Sequence, residues 1–255
     1  MQTLRGKGAI VVGTKRVGGQ IALRLAAEGI NLAIAYRSSR TEAEALRQAA
    51  SSKTKRACLV QCDLSVEEDV RRMVSEAAEQ LGGLHFAVNL ASGFVRTPLE
   101  TLDSQAWDQA LADAKGSYLL TLHAARRMMD NSGPTRGHII LFSDSSAMET
   151  PYLDYLPYLT AKSAIDFMSR AFAVELAPHG ILVNAIAPGP TIRPPGIREQ
   201  TWRTHVVGRT PLKRESSPDE MAEIIVTLLK SETITGETVR VDAGVHLSGP
   251  EPANV

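Results

Sequence analysis

An excess of charge is the first thing this chain lacks. Its 255 residues carry 28 Lys+Arg and 28 Asp+Glu, a formal net charge of zero. A protein that neutralises nucleic-acid phosphates needs a basic surplus, so the balance argues against a nucleic-acid partner while allowing a local basic pocket. Long apolar runs are missing too. None approaches the ~20 residues of a membrane span, and Met1–Lys7 has no signal-peptide pattern. Cysteine is scarce, with only Cys58 and Cys62. They stand four apart in what reads as a strand, about 13 Å at ~3.3 Å per residue, too far to bridge. A reduced, cytoplasmic protein is expected. The six His are scattered without metal-ligand spacing, so no metal site is expected.

What is present is ordinary for a globular chain, with 44% hydrophobic and 22% charged residues. The length permits one large domain or two small ones. Short apolar runs alternate with helical stretches. Ala9–Val12, Asn31–Tyr36, Ala57–Cys62, Leu84–Asn89, His138–Phe142, Ile181–Ala187 and Thr238–Asp242 read as strands. Between them, Gln20–Glu28, the stretches opened by Thr41 and Ser65, Ser104 to about Asp130, and about Tyr158 to Leu176 read as helices. Thr41-x-x-Glu44, Ser65-x-x-Glu68 and Ser217-x-x-Glu220 have capping-box spacing. Strands separated by helices of this length require right-handed crossovers and a parallel sheet covered on both faces. The expected fold is α/β: one Rossmann-type, doubly wound parallel sheet of about seven strands, filling 1–255. Nothing marks a domain boundary. Ligands of such sheets bind beyond the carboxyl ends of the strands.

Several residues fall there. Gly13-Thr14-Lys15-Arg16-Val17-Gly18-Gly19 follows the first strand and opens a helix. That arrangement lets backbone approach a pyrophosphate under the positive helix N-terminus. A cofactor with a free ribose 2′-hydroxyl would favour an acid at the end of the second strand. This chain has Tyr36-Arg37-Ser38-Ser39 instead. Basic and hydroxyl groups suit a 2′-phosphate, so NADP(H) is expected. Lys15, Arg16 and Arg37 are expected to gather at that phosphate, in a corner without acids. Tyr158 and Lys162 stand four apart on one helical face. A neighbouring cation favours the phenolate and would bring a Tyr pKa of about 10 toward working pH. Tyr158 could then exchange a proton with a carbonyl or alcohol oxygen.

In order along the chain come the glycine turn, Asp63, Asn89-Leu90-Ala91-Ser92, Ser143-Asp144-Ser145-Ser146, Tyr158-x-x-x-Lys162, Pro188-Gly189, and Ile234-Thr235-Gly236 near Val241-Asp242-Ala243-Gly244. With these motifs the sequence resembles the short-chain dehydrogenase/reductase family over essentially its whole length. The resemblance implies that Tyr158 is the catalytic acid/base and that Lys162 binds the nicotinamide ribose while lowering the Tyr158 pKa. It places Asp63 and Leu64 at the adenine, Asn89 with Ala91 at the ribose, and Pro188, Gly189 and Thr191 at the nicotinamide. Val17, Gly18 and Gly19 belong to the pyrophosphate turn, with Ser38 beside Arg37. A substrate lid is implied at about 189–216, with Arg193 facing substrate, and a homo-oligomer, tetramer or dimer, through the two long helices.

The departures from the family pattern leave choices open. Counting from Gly13, the last glycine of the turn is Gly19 by length but Gly18 if the following helix is aligned. Asp113 stands where the family has an Asn that supports a proton-relay water. An ionised Asp accepts but cannot donate, and a solvated helix carboxylate is the alternative. The family serine is Ser145 counted back from Tyr158, and Asp144 counted forward from the strand. Pteridine-reductase-like members use an Asp there. Lys15-Arg16, Tyr36-Arg37-Ser38 and Asn89 to Phe94 also resemble that subgroup, in which Ser92 would bind a cofactor phosphate. Phe94 would stack on a flat substrate, or be a plain loop aromatic. The expected activity is NADPH-dependent reduction of a small-molecule carbonyl, a 3-oxoacyl group or similar ketone. The alternatives are pteridine-like reduction of a flat heterocycle, or a non-catalytic NADP(H)-binding regulator.

Overall fold

The computed structural model describes residues 1–194 and 196–248. Pro195, inside the expected lid, and residues 249–255, at the end of the expected domain, lie outside the described residues. Seven parallel strands form one sheet in the order β3-β2-β1-β4-β5-β6-β7. They are β1 Gly8–Val12, β2 Asn31–Tyr36, β3 Ala57–Gln61, β4 Phe86–Asn89, β5 Gly137–Phe142, β6 Ile181–Pro188 and β7 Thr238–Val241. The helices are α1 Val17–Ala27, α2 Arg40–Ser51, α3 Glu67–Leu81, α4 Ser104–Met128, α5 Leu156–Leu176, a single turn α6 Glu199–Thr201, and α7 Pro218–Lys230.

Each central strand divides its side chains between two cores, as a strand's alternation requires. Ile10 and Val12 of β1 join Val70, Met73 and Val74 of α3, Leu119 and Leu120 of α4, and Ile165 of α5. Ala9 and Val11 point the other way, onto Ile21 and Leu25 of α1, Ala43 of α2, and Met221 and Ile225 of α7. Both faces are covered, so the strands read as continuous apolar runs. β3 departs from that expectation: as an edge strand, only Val60 within it is fully buried.

Helix starts differ from the capping-box reading at two of three places. α2 begins at Arg40 after Ser39, and Glu44 turns forward to pair with Arg47. α3 begins at Glu67 after Val66, without a side-chain cap; Ser65 stands one residue outside and donates its hydroxyl to Asp63. Ser217 does cap α7, accepting from the Glu220 amide at 3.3 Å. Among the described residues, no helix is long and apolar enough to cross a membrane, and both cysteines are free.

The sheet order reverses between β1 and β4, where Val12 pairs with Asn89. Diverging loops open a crevice at such a point, beyond the carboxyl ends of the strands. The candidate site stands around it.

Candidate active site

The glycine turn leaves β1 against the loop after β4. A Cβ on Gly13, which has a φ of +81°, would lie 2.4 Å from the Ala91 amide nitrogen. On Gly18 it would lie 2.1 Å from the Gly13 carbonyl oxygen, whereas Gly19 would have 3.2 Å to its nearest neighbour. Of the two, Gly18 is the one whose close approach to Gly13 leaves no space for a side chain. Val17 opens α1, whose first turn carries no acid. Arg16 just before it adopts a φ of 57°, a conformation costly for a residue with a side chain. Its guanidinium donates to the Ile192 carbonyl at 2.8 Å, bridging to the loop after β6. Arg16 thus turns away from the corner where three cations were expected.

That corner also holds an acid, contrary to expectation. Arg37 lies 4.0 Å from Asp63, and both are substantially exposed. The amide and hydroxyl of Ser65 hold the Asp63 carboxyl below its usual range. Leu64, beside it, packs against the core edge and Gly116. Lys15 and Ser38 are exposed at the same rim.

Past β4, Asn89 is buried and fixed from both ends. Its amide donates to Ser117 at 3.0 Å, and its carbonyl oxygen accepts from the Ala91 amide. Ser117 in turn donates to the Asp113 backbone carbonyl. The Asp113 side chain is not a solvated helix carboxylate: it accepts from the Gly93 amide at 2.7 Å and so clamps the loop bearing Ser92 and Phe94. Burial raises its pKa, opposed by the Gly93 amide and the Lys162 charge.

β5 ends at Phe142, and the chain separates the two candidate acids that follow. The Asp144 carboxylate accepts from the Tyr158 phenol at 2.8 Å, and its other oxygen accepts from the Ser146 amide. Ser145 points elsewhere. It is 1% exposed, its amide is bonded to Pro188, and its hydroxyl has no partner among the described residues. Tyr158 therefore faces a carboxylate, and the serine matching the family spacing does not reach it.

Lys162 is buried and donates to the Phe142 carbonyl at 2.7 Å, with its ammonium 5.8 Å from the Tyr158 ring centre. Burial pushes its pKa down to about 8, against the pull of Asp144 and Asp113. Tyr158 departs from expectation. Burial first, and Asp144 second, raise its pKa well above that of a free phenol. Lys162 does not offset this. Asp144 moves the same way, raised by burial despite bonds from Ser146 and Tyr158.

Three aromatic side chains surround Tyr158. Phe94 is half exposed, stacks on Tyr155 at 4.5 Å between ring centres, and meets Tyr158 edge-on at 5.0 Å. Tyr152 packs edge-on against Tyr155 and directs its hydroxyl to Asp144 at 3.5 Å. An ion pair between Arg96 and Asp154 ties the two loops together. Tyr152 and Tyr155 were not among the expected site residues. Their signal was the three-residue repeat of tyrosine at 152, 155 and 158.

The segment after β6 leaves at Pro188 and is closed at its base by a Ser216 amide bond to Pro190. The Gly189 amide is bonded to Val241, and the Thr191 hydroxyl donates to the Gly189 carbonyl. Buried Trp202 anchors the segment through Glu215. Arg193, expected to meet substrate, is engaged inside the segment with Glu199 and the Ile197 carbonyl. Among the described residues, no group of three His, Cys, Asp or Glu could hold a metal ion.

A parallel sheet with a glycine turn at its switch point, facing a buried Tyr–Lys pair, defines a dinucleotide-binding oxidoreductase architecture. Comparison with known proteins agrees. The family described as Enoyl-(Acyl carrier protein) reductase matches residues 12–246. The Short-chain reductase protein NovJ of Streptomyces niveus is 33% identical over 254 residues, covering 92% of each chain. The 3-oxoacyl-[acyl-carrier-protein] reductase FabG of Staphylococcus epidermidis is 29% identical, covering 94% of this chain and 99% of its own. Among solved structures, FolM Alternative dihydrofolate reductase 1 from Brucella canis, complexed with NADP, superposes with a TM-score of 0.87 at 28% identity. It covers 100% of this chain and 99% of its own. The chain belongs to the short-chain dehydrogenase/reductase family of oxidoreductases.

Proposed function

We propose that this protein is an NADP(H)-dependent reductase whose substrate is a flat nitrogen heterocycle with a reducible C=N bond, of the dihydropteridine kind. The observation that carries this reading is the Asp144 carboxylate 2.8 Å from the Tyr158 hydroxyl. A ketone would bring oxygen lone pairs toward that carboxylate. A heterocycle brings N–H donors that an acceptor-only group can bind. Phe94, held over the site by the Asp113–Gly93 bond, offers a face on which such a ring stacks. The FolM relative, a dihydrofolate reductase by name and complexed with NADP, supports the same choice.

The residues present fit the dinucleotide. Gly13 and Gly18 let the turn pack closely on Ala91 and on itself, and α1 presents an acid-free helix start at which a pyrophosphate would sit. Arg37, with Ser38 and Lys15, would take the 2′-phosphate, releasing Asp63 to the adenine beside Leu64. Asn89, Ala91 and Ser92 would line the ribose side, Lys162 would hold the nicotinamide ribose, and Pro188, Gly189 and Thr191 would back the nicotinamide. When bound, the reduced cofactor supplies a hydride to the carbon of the C=N bond. Tyr158 gives its proton to the nitrogen and is reprotonated from solvent, while Asp144 stays ionised as the acceptor for substrate N–H groups. Lys162 holds positive charge beside them.

A second reading is the ketone chemistry of the FabG relative, since Tyr158 and Lys162 can serve a carbonyl oxygen equally well. The lid at 189–216 and a cytoplasmic setting, consistent with two free cysteines, belong to either reading. Replacing Tyr158 with Phe tests the shared chemistry. Turnover should fall by at least about a thousandfold while NADPH affinity is preserved. Undiminished turnover would overturn the assignment, and NADPH binding without turnover of any substrate by the wild type would mark a non-catalytic regulator.

A further inference from the structure

Tyr152 has no part in the chemistry described so far, yet its hydroxyl is directed at the oxygen that Tyr158 uses. Asp144 Oδ2 accepts from Tyr158 at 2.8 Å and stands 3.5 Å from the Tyr152 hydroxyl, while Oδ1 is taken by the Ser146 amide. We propose that Tyr152 is a positioning residue for Asp144, a second phenol that takes over the hydrogen bond to Oδ2 when Tyr158 turns its proton toward substrate.

A phenol has one proton and can donate it to one acceptor at a time. While Tyr158 donates to a substrate nitrogen it cannot also donate to Asp144. A buried carboxylate oxygen stripped of its donor is costly, and that cost would fall on the step in which the proton moves. Tyr152 removes it. Its ring is held edge-on against Tyr155, 5.2 Å between centres, and Tyr155 is stacked in turn on Phe94. Its hydroxyl, already aimed at Oδ2, needs only a small approach to make a full hydrogen bond. The same aromatic chain links Tyr152 to Phe94, so a ring stacked on Phe94 and the donor on Asp144 belong to one packed unit.

The charged and titratable groups around Asp144 are few. Among the described residues they are Tyr152 from the loop before α5 and Tyr158 and Lys162 from α5, with Asp113 of α4 acting on Tyr158 and Lys162. A second donor on Oδ2 favours the ionised carboxylate, so removing it should raise the pH at which Asp144 titrates. A residue serving only to fill space would leave that pH unchanged when its ring is kept.

The inference rests on the proposed role of Asp144, but its test needs no substrate. Aspartate carboxyl carbons are labelled in the full-length protein, and the Asp144 signal is identified by its loss in Asp144→Asn. The titration is then followed by NMR in wild type and Tyr152→Phe. Tyr152→Phe should move the Asp144 midpoint upward by about half a pH unit or more. An unchanged or lowered midpoint overturns the inference. Should the phenylalanine variant fail to fold, the wild-type test is the Tyr152 hydroxyl itself. Its 13Cζ shift, from labelled tyrosine, should follow the Asp144 midpoint, and an independent response overturns the inference. A shifted midpoint in a protein that reduces no heterocycle would sink the proposed substrate and leave the Tyr152 role standing.

Discussion

The proposed preference for NADP(H) turns on one side chain, Arg37. It lies at the end of β2, largely exposed, with Asp63 4.0 Å away as its neighbour. A 2′-phosphate offers it several charge-assisted acceptors, whereas a 2′-hydroxyl offers one neutral one. Arg37→Ala should weaken NADPH binding by about 10- to 100-fold and leave NADH binding within about threefold. Fluorescence titration with both nucleotides checks this, and equal losses for the two would contradict it. Residue-level chemistry was partly legible beforehand. The Tyr158–Lys162 pair, Arg37 and the glycine turn stand at contiguous or helix-spaced positions, so sequence distance translates into spatial distance. The choice between Asp144 and Ser145 was not legible. It depends on the path of an irregular turn after β5, which no period describes.

At the scale of elements, the strands and long helices were readable because burial on both sheet faces writes itself as unbroken apolar runs. Helix starts were less so. Ser65 and Thr41 had the spacing of caps, but α3 started one residue later than that spacing implies, at Glu67, and α2 earlier, at Arg40. The sheet's amino-terminal end carries a pH dependence of its own. His138 on β5 is fully buried, and burial followed by the Lys7 charge lowers its pKa to about 4. Its Nε2 accepts from the Gln2 amide, which also donates to the Leu229 carbonyl, so the ring is held neutral. An unfolded His titrates near 6.5. Stability from the neutral ring is therefore complete above that pH and lost as pH falls toward 4. Urea unfolding at pH 7.5 and pH 5 should differ by about 2 kcal/mol from this group. His138→Gln should shrink that difference, and an unchanged pH dependence in the variant would refute the assignment.

The whole molecule leaves apolar surface on its two longest helices. Phe167 and Val174 of α5 are 66% and 76% exposed, and Trp107 and Tyr118 of α4 are also exposed. These helices pack on each other and on the sheet with their outer faces exposed, and it is there that the family resemblance implies a second copy. Sedimentation velocity should show a dimer or tetramer, and Phe167→Glu should shift it toward monomer. A monomeric wild type would contradict that assembly. The zero net charge has a related reading at this scale. It conceals ion pairs that keep charge local, among them Arg37 with Asp63 and Arg96 with Asp154, both at the crevice. In the function proposed for that crevice, the carboxylate facing Tyr158 favours a nitrogen heterocycle over a ketone. The most direct measurement is NADPH oxidation by wild type and Asp144→Ser with a dihydropteridine and with a panel of ketones including a 3-oxoacyl thioester. Wild type should favour the dihydropteridine by at least about tenfold in kcat/KM, and Asp144→Ser should lose that preference. Wild-type turnover of ketones with none of the heterocycle would contradict the account.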